Sequence, residues 1–270
     1  MDYGLQGKVA VVTGGGGAIC GEIATALANE GVSVAIWDVS RAAADRAAEK
    51  IRAMGGSALA IECDATDPDS VGAAKEAVLT EYGDIDILVN GAGGSRRECT
   101  TSDELEFFDI DVRALTDTMR LNWLSAVVPS QAVGRIFAAK RSGVILNISS
   151  IAGICPLTRA VGYSNGKAAL NSFTQWLAVH MAHNYAPEIR VNAVAPGFIL
   201  TAQNRFLLLD QKTGKMTQRG RHVLANVPMA RYAQPGEVVG AALWLVSDSA
   251  GFVTGAVVPV DGGFTAYSGV

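Results

Sequence analysis

The sequence predicts a doubly wound α/β fold, a seven-stranded parallel sheet flanked by helices and filling residues 1–270 as one domain. Three observations point there. Short apolar runs recur along the chain, helical stretches separate them, and the glycine-rich turn "TGGGGAICG" (residues 13–21) links the first run to the first helical stretch. Runs apolar throughout, rather than alternating, suit strands covered on both faces.

Residues 8–13 ("KVAVVT") form the first strand, and helical spacing over 22–30 stops at Gly31. Residues 32–37 make the second strand, followed by an Ala-rich helix over 41–54 and a break at Gly55-Gly56. Residues 58–62 are a third strand and 68–82 a third helix, opening on Pro68. Further strands fall at 85–89, 144–148, 190–195 and 257–260, with long helical stretches between the later ones. Such alternation implies right-handed crossovers and a parallel sheet. The one irregular region is 200–227, polar and interrupted by Gly214 and Gly220. A long insertion after a strand is expected to cover a site.

Apolar residues make up 49% of the sequence and charged residues 18%, a balance that can support a packed core. With 22 basic and 26 acidic residues the net charge is -4, and no Lys/Arg run marks a nucleic-acid or anionic-membrane surface. No secretory core opens the sequence and no eighteen-residue apolar stretch follows, so a cytoplasmic protein is expected. Cys20, Cys63, Cys99 and Cys155 form no C-x-x-C pair, which suits reduced thiols. His180 and His183 share a helix face without a third ligand, so no metal site is expected.

The glycine turn follows a buried strand and opens a helix, a context in which glycines let the backbone approach a pyrophosphate. The helix N-terminus adds free N–H groups and a positive dipole end. Asp38 ends the second strand, 24 residues after Gly14, where a carboxylate can accept ribose hydroxyls. The first half is therefore read as Rossmann-like and dinucleotide-binding.

Several motifs, in order, resemble the short-chain dehydrogenase/reductase family along nearly the whole length. They are Thr13-Gly14, Asp64 after the third strand, Asn90-Gly91-Ala92-Gly93, Asn122, Asn147-Ile148-Ser149-Ser150, Tyr163-Ser164-Asn165-Gly166-Lys167, and Pro196-Gly197. Three positions depart from the family pattern. Ala18 and Cys20 stand for the second and third glycines of T-G-x-x-x-G-x-G, and Gly91 for the second Asn of N-N-A-G. The resemblance implies cofactor contacts from Gly14, Gly16, Gly17, Ala18 and Ile19, from Asp38 and Val39, and from Asp64 and Ala65. It extends them to Asn90, Gly91 and Ala92, to Tyr163 and Lys167, and to Pro196, Gly197, Ile199 and Thr201. It also implies four catalytic residues, Asn122, Ser150, Tyr163 and Lys167.

Those residues suit hydride chemistry at a carbonyl. A tyrosine titrates near 10, and Lys167, one helical turn from Tyr163, is expected to favour its phenolate. Tyr163 would serve as general acid or base. Ser150 would hydrogen-bond the substrate oxygen, with Ser149 as a structural neighbour. By resemblance, Lys167 holds the nicotinamide ribose and Asn122 positions a lysine-bound water. The carboxylate of Asp38 and the absence of a basic residue at Val39 and Gly17 favour NAD(H) over NADP(H). An epimerase or dehydratase that keeps its nicotinamide bound is the rival enzyme class, and a nucleotide-sensing protein the non-enzymatic one.

"NSFTQWLAVHMA", "APGFILTAQNRFLL" and "VVPVDGGFTAYSGV" are similar to D-mannonate oxidoreductases of the short-chain type, also called fructuronate reductases. The substrate expected from that likeness is a sugar acid, D-fructuronate or D-mannonate, with another sugar acid or polyol as the alternative. Its carboxylate calls for a guanidinium. Arg205 is favoured, Arg96 is the second candidate, and Gln203 and Asn204 would bind hydroxyls. The family likeness also suggests a homotetramer, with residues 174–182 ("TQWLAVHMA") on either a partner face or the core.

Overall fold

A computed structural model describes residues 3–201, 205–210 and 213–269. Seven strands form one sheet: β1 (Val9–Thr13), β2 (Ser33–Asp38), β3 (Ala58–Glu62), β4 (Ile87–Asn90), β5 (Gly143–Ile148), β6 (Ile189–Pro196) and β7 (Val257–Val260). Their order is β3-β2-β1-β4-β5-β6-β7 and every pair is parallel. The order reverses between β1 and β4, and ligands of such sheets bind in the crevice at that switch, beyond the carboxyl ends of the strands.

Among the described residues eight α-helices connect the strands: α1 (Ala18–Asn29), α2 (Arg41–Ala53), α3 (Pro68–Tyr82), α4 (Val112–Lys140), α5 (Val161–Asn184), α6 (Arg205–Leu208), α7 (Gln218–Ala225) and α8 (Val239–Val246). β1 shows why its run is apolar throughout. Ala10 and Val12 enter the core on the α1 and α8 side, whereas Val9 and Val11 enter the core on the α3, α4 and α5 side. Among the described residues no helix is long and apolar enough to cross a membrane.

Three elements, β3, α3 and β7, have the bounds read from sequence. α1 begins four residues earlier than its periodicity suggests, because the glycine turn closes directly onto the helix with Gly17 as N-cap. The irregular stretch also contains more order than its polarity implies. Leu209 and Met216 pair as an antiparallel bridge between α6 and α7, and Gly214 (φ +68°) lies between them. Gly220 is no interruption. It sits inside α7, where a Cβ would collide with the Leu208 carbonyl.

Candidate active site

The cofactor side of the crevice begins at the glycine turn. Gly14 has φ +62°, and a Cβ there would lie 3.0 Å from the Ala92 backbone. Gly16 donates its N–H to Asp38 Oδ2 at 3.0 Å, and a Cβ there would press on Ala43 at 2.6 Å. Gly17 caps α1 with no side-chain hydrogen bond, leaving the first helical N–H groups available to an anion. The other Asp38 oxygen accepts the Ser40 N–H at 2.9 Å. Each carboxylate oxygen accepts one backbone donor and retains a second lone pair, as a ribose would need. Val39 is exposed beside it. These features fit a dinucleotide.

The departures from the family pattern resolve into one exchange. Cys20 is buried in α1, and its Sγ occupies the space that a Cβ on residue 91 would take. The Cys20 thiol therefore requires glycine at 91. Burial pushes the Cys20 thiol up to about 12, so it stays a neutral packing group. Ala18 is exposed at the first helical position, so its methyl meets no core.

The turn after β4 is held from three sides. Thr13 Oγ1 accepts the N–H groups of Gly91 (3.0 Å) and Ala92 (3.2 Å), and Ser125 Oγ donates to the Ala92 carbonyl at 2.8 Å. Asn122 Oδ1 accepts the Gly94 N–H at 3.0 Å, while its Nδ2 donates to the carbonyls of Gly94 (2.8 Å) and Thr118 (2.9 Å). The Asn122 amide is thus committed to the turn. Asn90 is buried with its side chain in the sheet, Nδ2 donating to Ser130 Oγ and Asn147 Oδ1. Only its backbone faces the cofactor turn. Ser125 escaped the sequence reading, and Thr13 was read only as part of the glycine turn, since a hydroxyl that serves a distant turn leaves no periodic trace.

Ser150 follows β5, and its Oγ accepts the Ala152 N–H at 3.1 Å. Lys167 is buried one turn along α5, with Nζ donating to the Ile148 carbonyl at 2.8 Å and lying 5.8 Å from the Tyr163 ring centroid. Burial lowers the Lys167 ammonium to about 8. It also raises the Tyr163 phenol. This corrects the expectation that Lys167 lowers the Tyr163 pKa. Its ammonium faces the ring and a carbonyl, so burial dominates. Ser149 donates to Asn171 Oδ1, the structural role expected of it.

The remaining expected residues spread around the rim. Asp64 accepts both the N–H and the hydroxyl of Thr66 at 2.8 Å, and Ala65 beside it is buried. Gly197 follows β6 against Asp261, and a Cβ there would lie 2.7 Å from the Asp261 Cα. Ile199 is buried and bridges to Ala233, and Thr201 accepts the Arg205 N–H at 3.0 Å. Arg205 is exposed at the start of α6 and Arg96 is exposed before the short turn at Arg97–Cys99. Gln203 and Asn204 lie outside the described residues. His180, far from this rim, stacks on Trp176 at 4.7 Å.

A crevice that offers free helix N–H groups and a ribose-facing carboxylate, beside a Ser–Tyr–Lys group, defines a nicotinamide-dependent oxidoreductase acting on alcohol and carbonyl groups. Residues 16–265 match the family described as enoyl-(acyl carrier protein) reductase. The protein belongs to the short-chain dehydrogenase/reductase family. It is 42% identical over 275 residues to UxuB, an uncharacterized oxidoreductase of Bacillus subtilis, covering 98% of both proteins. It is 32% identical over 259 residues to the 7alpha-hydroxysteroid dehydrogenase of Escherichia coli K12, covering 96% of this protein and 94% of that one. Among solved structures it is similar to a Haemophilus influenzae protein proposed as a D-mannonate oxidoreductase, with NAD bound. The TM-score is 0.93 at 38% identity, covering 98% of each.

Proposed function

We propose that the protein is an NAD(H)-dependent oxidoreductase that interconverts D-fructuronate and D-mannonate. The observation that carries the chemistry is the buried ammonium of Lys167, held by the Ile148 carbonyl at 2.8 Å and 5.8 Å from the centroid of the Tyr163 ring. The sugar acid is supported by full-length similarity to a structure proposed as a D-mannonate oxidoreductase.

The nicotinamide, when bound, supplies or accepts the hydride. In the reductive direction Tyr163 Oη gives its proton to the substrate oxygen as that oxygen gains negative charge. Ser150 turns its hydroxyl to the same oxygen and stabilises the charge. Lys167 presents a cation toward the nicotinamide ribose. Asn122 keeps the turn at residues 92–94 in place beside Lys167. A Cβ on Gly93 would lie 2.7 Å from Asn122 Oδ1 and 3.6 Å from Lys167 Nζ, so both groups meet at this glycine. Asp38 and Val39 take the adenosine ribose, and the Asp38 charge repels a 2′-phosphate. Asp64 and Ala65 line the adenine end, and Pro196, Gly197, Ile199 and Thr201 the nicotinamide end.

The protein works as a homotetramer in the cytoplasm, where four free cysteines remain reduced. A cofactor-linked absorbance assay with D-fructuronate, D-mannonate, other aldonates and polyols tests the whole reading. Turnover of D-fructuronate with NADH as the preferred pair is expected. Turnover confined to polyols, or substrate conversion without net cofactor change, replaces this proposal with another dehydrogenase or a non-redox enzyme.

A further inference from the structure

The short turn that follows Ser150 sets where its hydroxyl points. Ser150 Oγ accepts the Ala152 N–H at 3.1 Å, which leaves the hydroxyl hydrogen for a substrate oxygen. Its carbonyl accepts the Gly153 N–H at 2.9 Å, and the Ile151 carbonyl accepts the N–H groups of Ile154 (2.9 Å) and Cys155 (2.8 Å). The direction of the Ser150 hydroxyl therefore depends on how the turn at Ile151–Gly153 sits against its neighbour.

That neighbour is α5, and Asn171 stands at the contact, half-buried. It lies four positions beyond Lys167, as Lys167 lies four beyond Tyr163, so the three follow one stripe of the helix. Asn171 Oδ1 accepts the hydroxyl of Ser149, the residue just before Ser150. Gly153, on the other side of Ser150, lies against the same side chain. A Cβ there would be 2.8 Å from Asn171 Nδ2 and 2.6 Å from the Lys167 carbonyl, so only glycine lets the turn come this close. The Ser149 N–H is already held by the Val194 carbonyl at 2.8 Å. The strand end is thus fixed without the hydroxyl bond, which acts instead on the fit between the turn and α5. Together with the Lys167 bond to the Ile148 carbonyl, α5 holds three points around Ser150, and Asn171 supplies two of them.

We propose that Asn171 is a positioning residue: it holds Ser149 and Gly153 on either side of Ser150 and so keeps the Ser150 hydroxyl directed at the substrate oxygen. This rests on the role of Ser150 set out above and extends it to a residue that acts through Ser150. A displacement of about 1 Å at such a group costs on the order of 10²-fold in rate.

The test uses the full-length enzyme with NADH and the carbonyl substrate it reduces fastest, D-fructuronate on the reading above. Ser150→Ala sets the reference, with an expected loss of about 10²–10³-fold in kcat. Asn171→Leu, which keeps the bulk and removes the acceptor, should lower kcat by roughly 10–100-fold while KM and NADH affinity change little. Asn171→Asp should recover most of the rate, because its carboxylate still accepts the Ser149 hydroxyl. Ser149→Ala cuts the same bond from the strand side, should lower kcat as well, and guards against an Asn171 variant that fails to fold. The deciding measurement places Asn171→Leu, and separately Ser149→Ala, on the Ser150→Ala background. No further loss is expected there, since no hydroxyl is left to aim. A loss that multiplies that of Ser150→Ala overturns the positioning role, because Asn171 then supports the fold or Lys167 instead. Unchanged kcat in both Asn171→Leu and Ser149→Ala overturns it too and leaves the role of Ser150 standing. A near-normal kcat in Ser150→Ala overturns the role of Ser150 and this inference with it.

Discussion

Cys20 and Gly91 fit together as side chain and vacancy: the buried Sγ of one fills the volume a Cβ on the other would need. With Cys20 in place, a side chain at residue 91 is not tolerated. Gly91→Asn should overpack the junction and cost about 1–3 kcal/mol, with weaker NADH binding because the turn touches Gly14. Cys20→Gly/Gly91→Asn should recover much of that loss. Urea denaturation of the two single variants and the double variant checks this, and additive losses would refute the exchange.

Tyr163→Phe keeps the ring and removes the proton. Turnover should fall by about 10²–10⁴-fold, while NADH affinity by fluorescence titration changes little. A near-normal kcat would assign the proton to another group.

Lys167 makes stability depend on pH in a defined sense. Lowering its ammonium from 10.5 to about 8 corresponds to roughly 3 kcal/mol of burial cost carried at neutral pH. Between pH 8 and 10.5 the unfolded state binds the proton more readily than the folded protein, so this term raises stability with pH. Relative to Lys167→Met, the wild type should therefore gain stability across that window in chemical denaturation. The Cys20 thiol, pushed up to about 12 by burial, acts in the opposite sense above pH 9 and interacts with Lys167, so the comparison is read between pH 8 and 9.

Asp38→Ala should narrow the preference for NAD(H) over NADP(H), read as the ratio of kcat/KM values. It also removes the acceptors of the Gly16 and Ser40 N–H groups, a loss of about 1 kcal/mol for each that thermal unfolding should register.

The outer face of α4 and α5 bears on the assembly. Trp123, Trp176 and Tyr185 line a groove of about 1110 Å³, and Trp176 is 60% exposed. On the same helix Thr174, Leu177 and Ala178 are buried, so the 174–182 segment has one face in the core and one outside it. Trp176→Glu should reduce the particle mass seen by light scattering while circular dichroism stays native. A monomeric wild type would remove the tetramer proposal.

The strands and the glycine turn were legible because each rests on local patterning, apolar runs closed by turn residues. The Tyr163–Lys167 pair was legible because four residues make one helical turn. What was not legible depends on distant partners. Thr13, Ser125 and the inward-turned Asn90 act through hydrogen bonds to residues far along the sequence, and no spacing announces them. The Tyr163 phenol was misjudged because the sequence reports which charge is near and says nothing of how dry the site is.

The polar seam through the sheet also sets an order of events during synthesis. Ser130 on α4, Asn90 on β4, Asn147 on β5 and Thr174 on α5 are joined in series by Asn90 Nδ2 and Asn147 Nδ2. β1 to β3 can pair once residue 62 has left the ribosome, and the nucleotide half has its strands early. The seam cannot close until residue 174 emerges, well after Ser150 and Tyr163 have appeared. A nascent polypeptide halted between those points would expose the cofactor crevice with its catalytic helix unanchored. Ribosome-stalled polypeptides of increasing length should therefore gain NADH fluorescence only after Thr174 has cleared the exit tunnel.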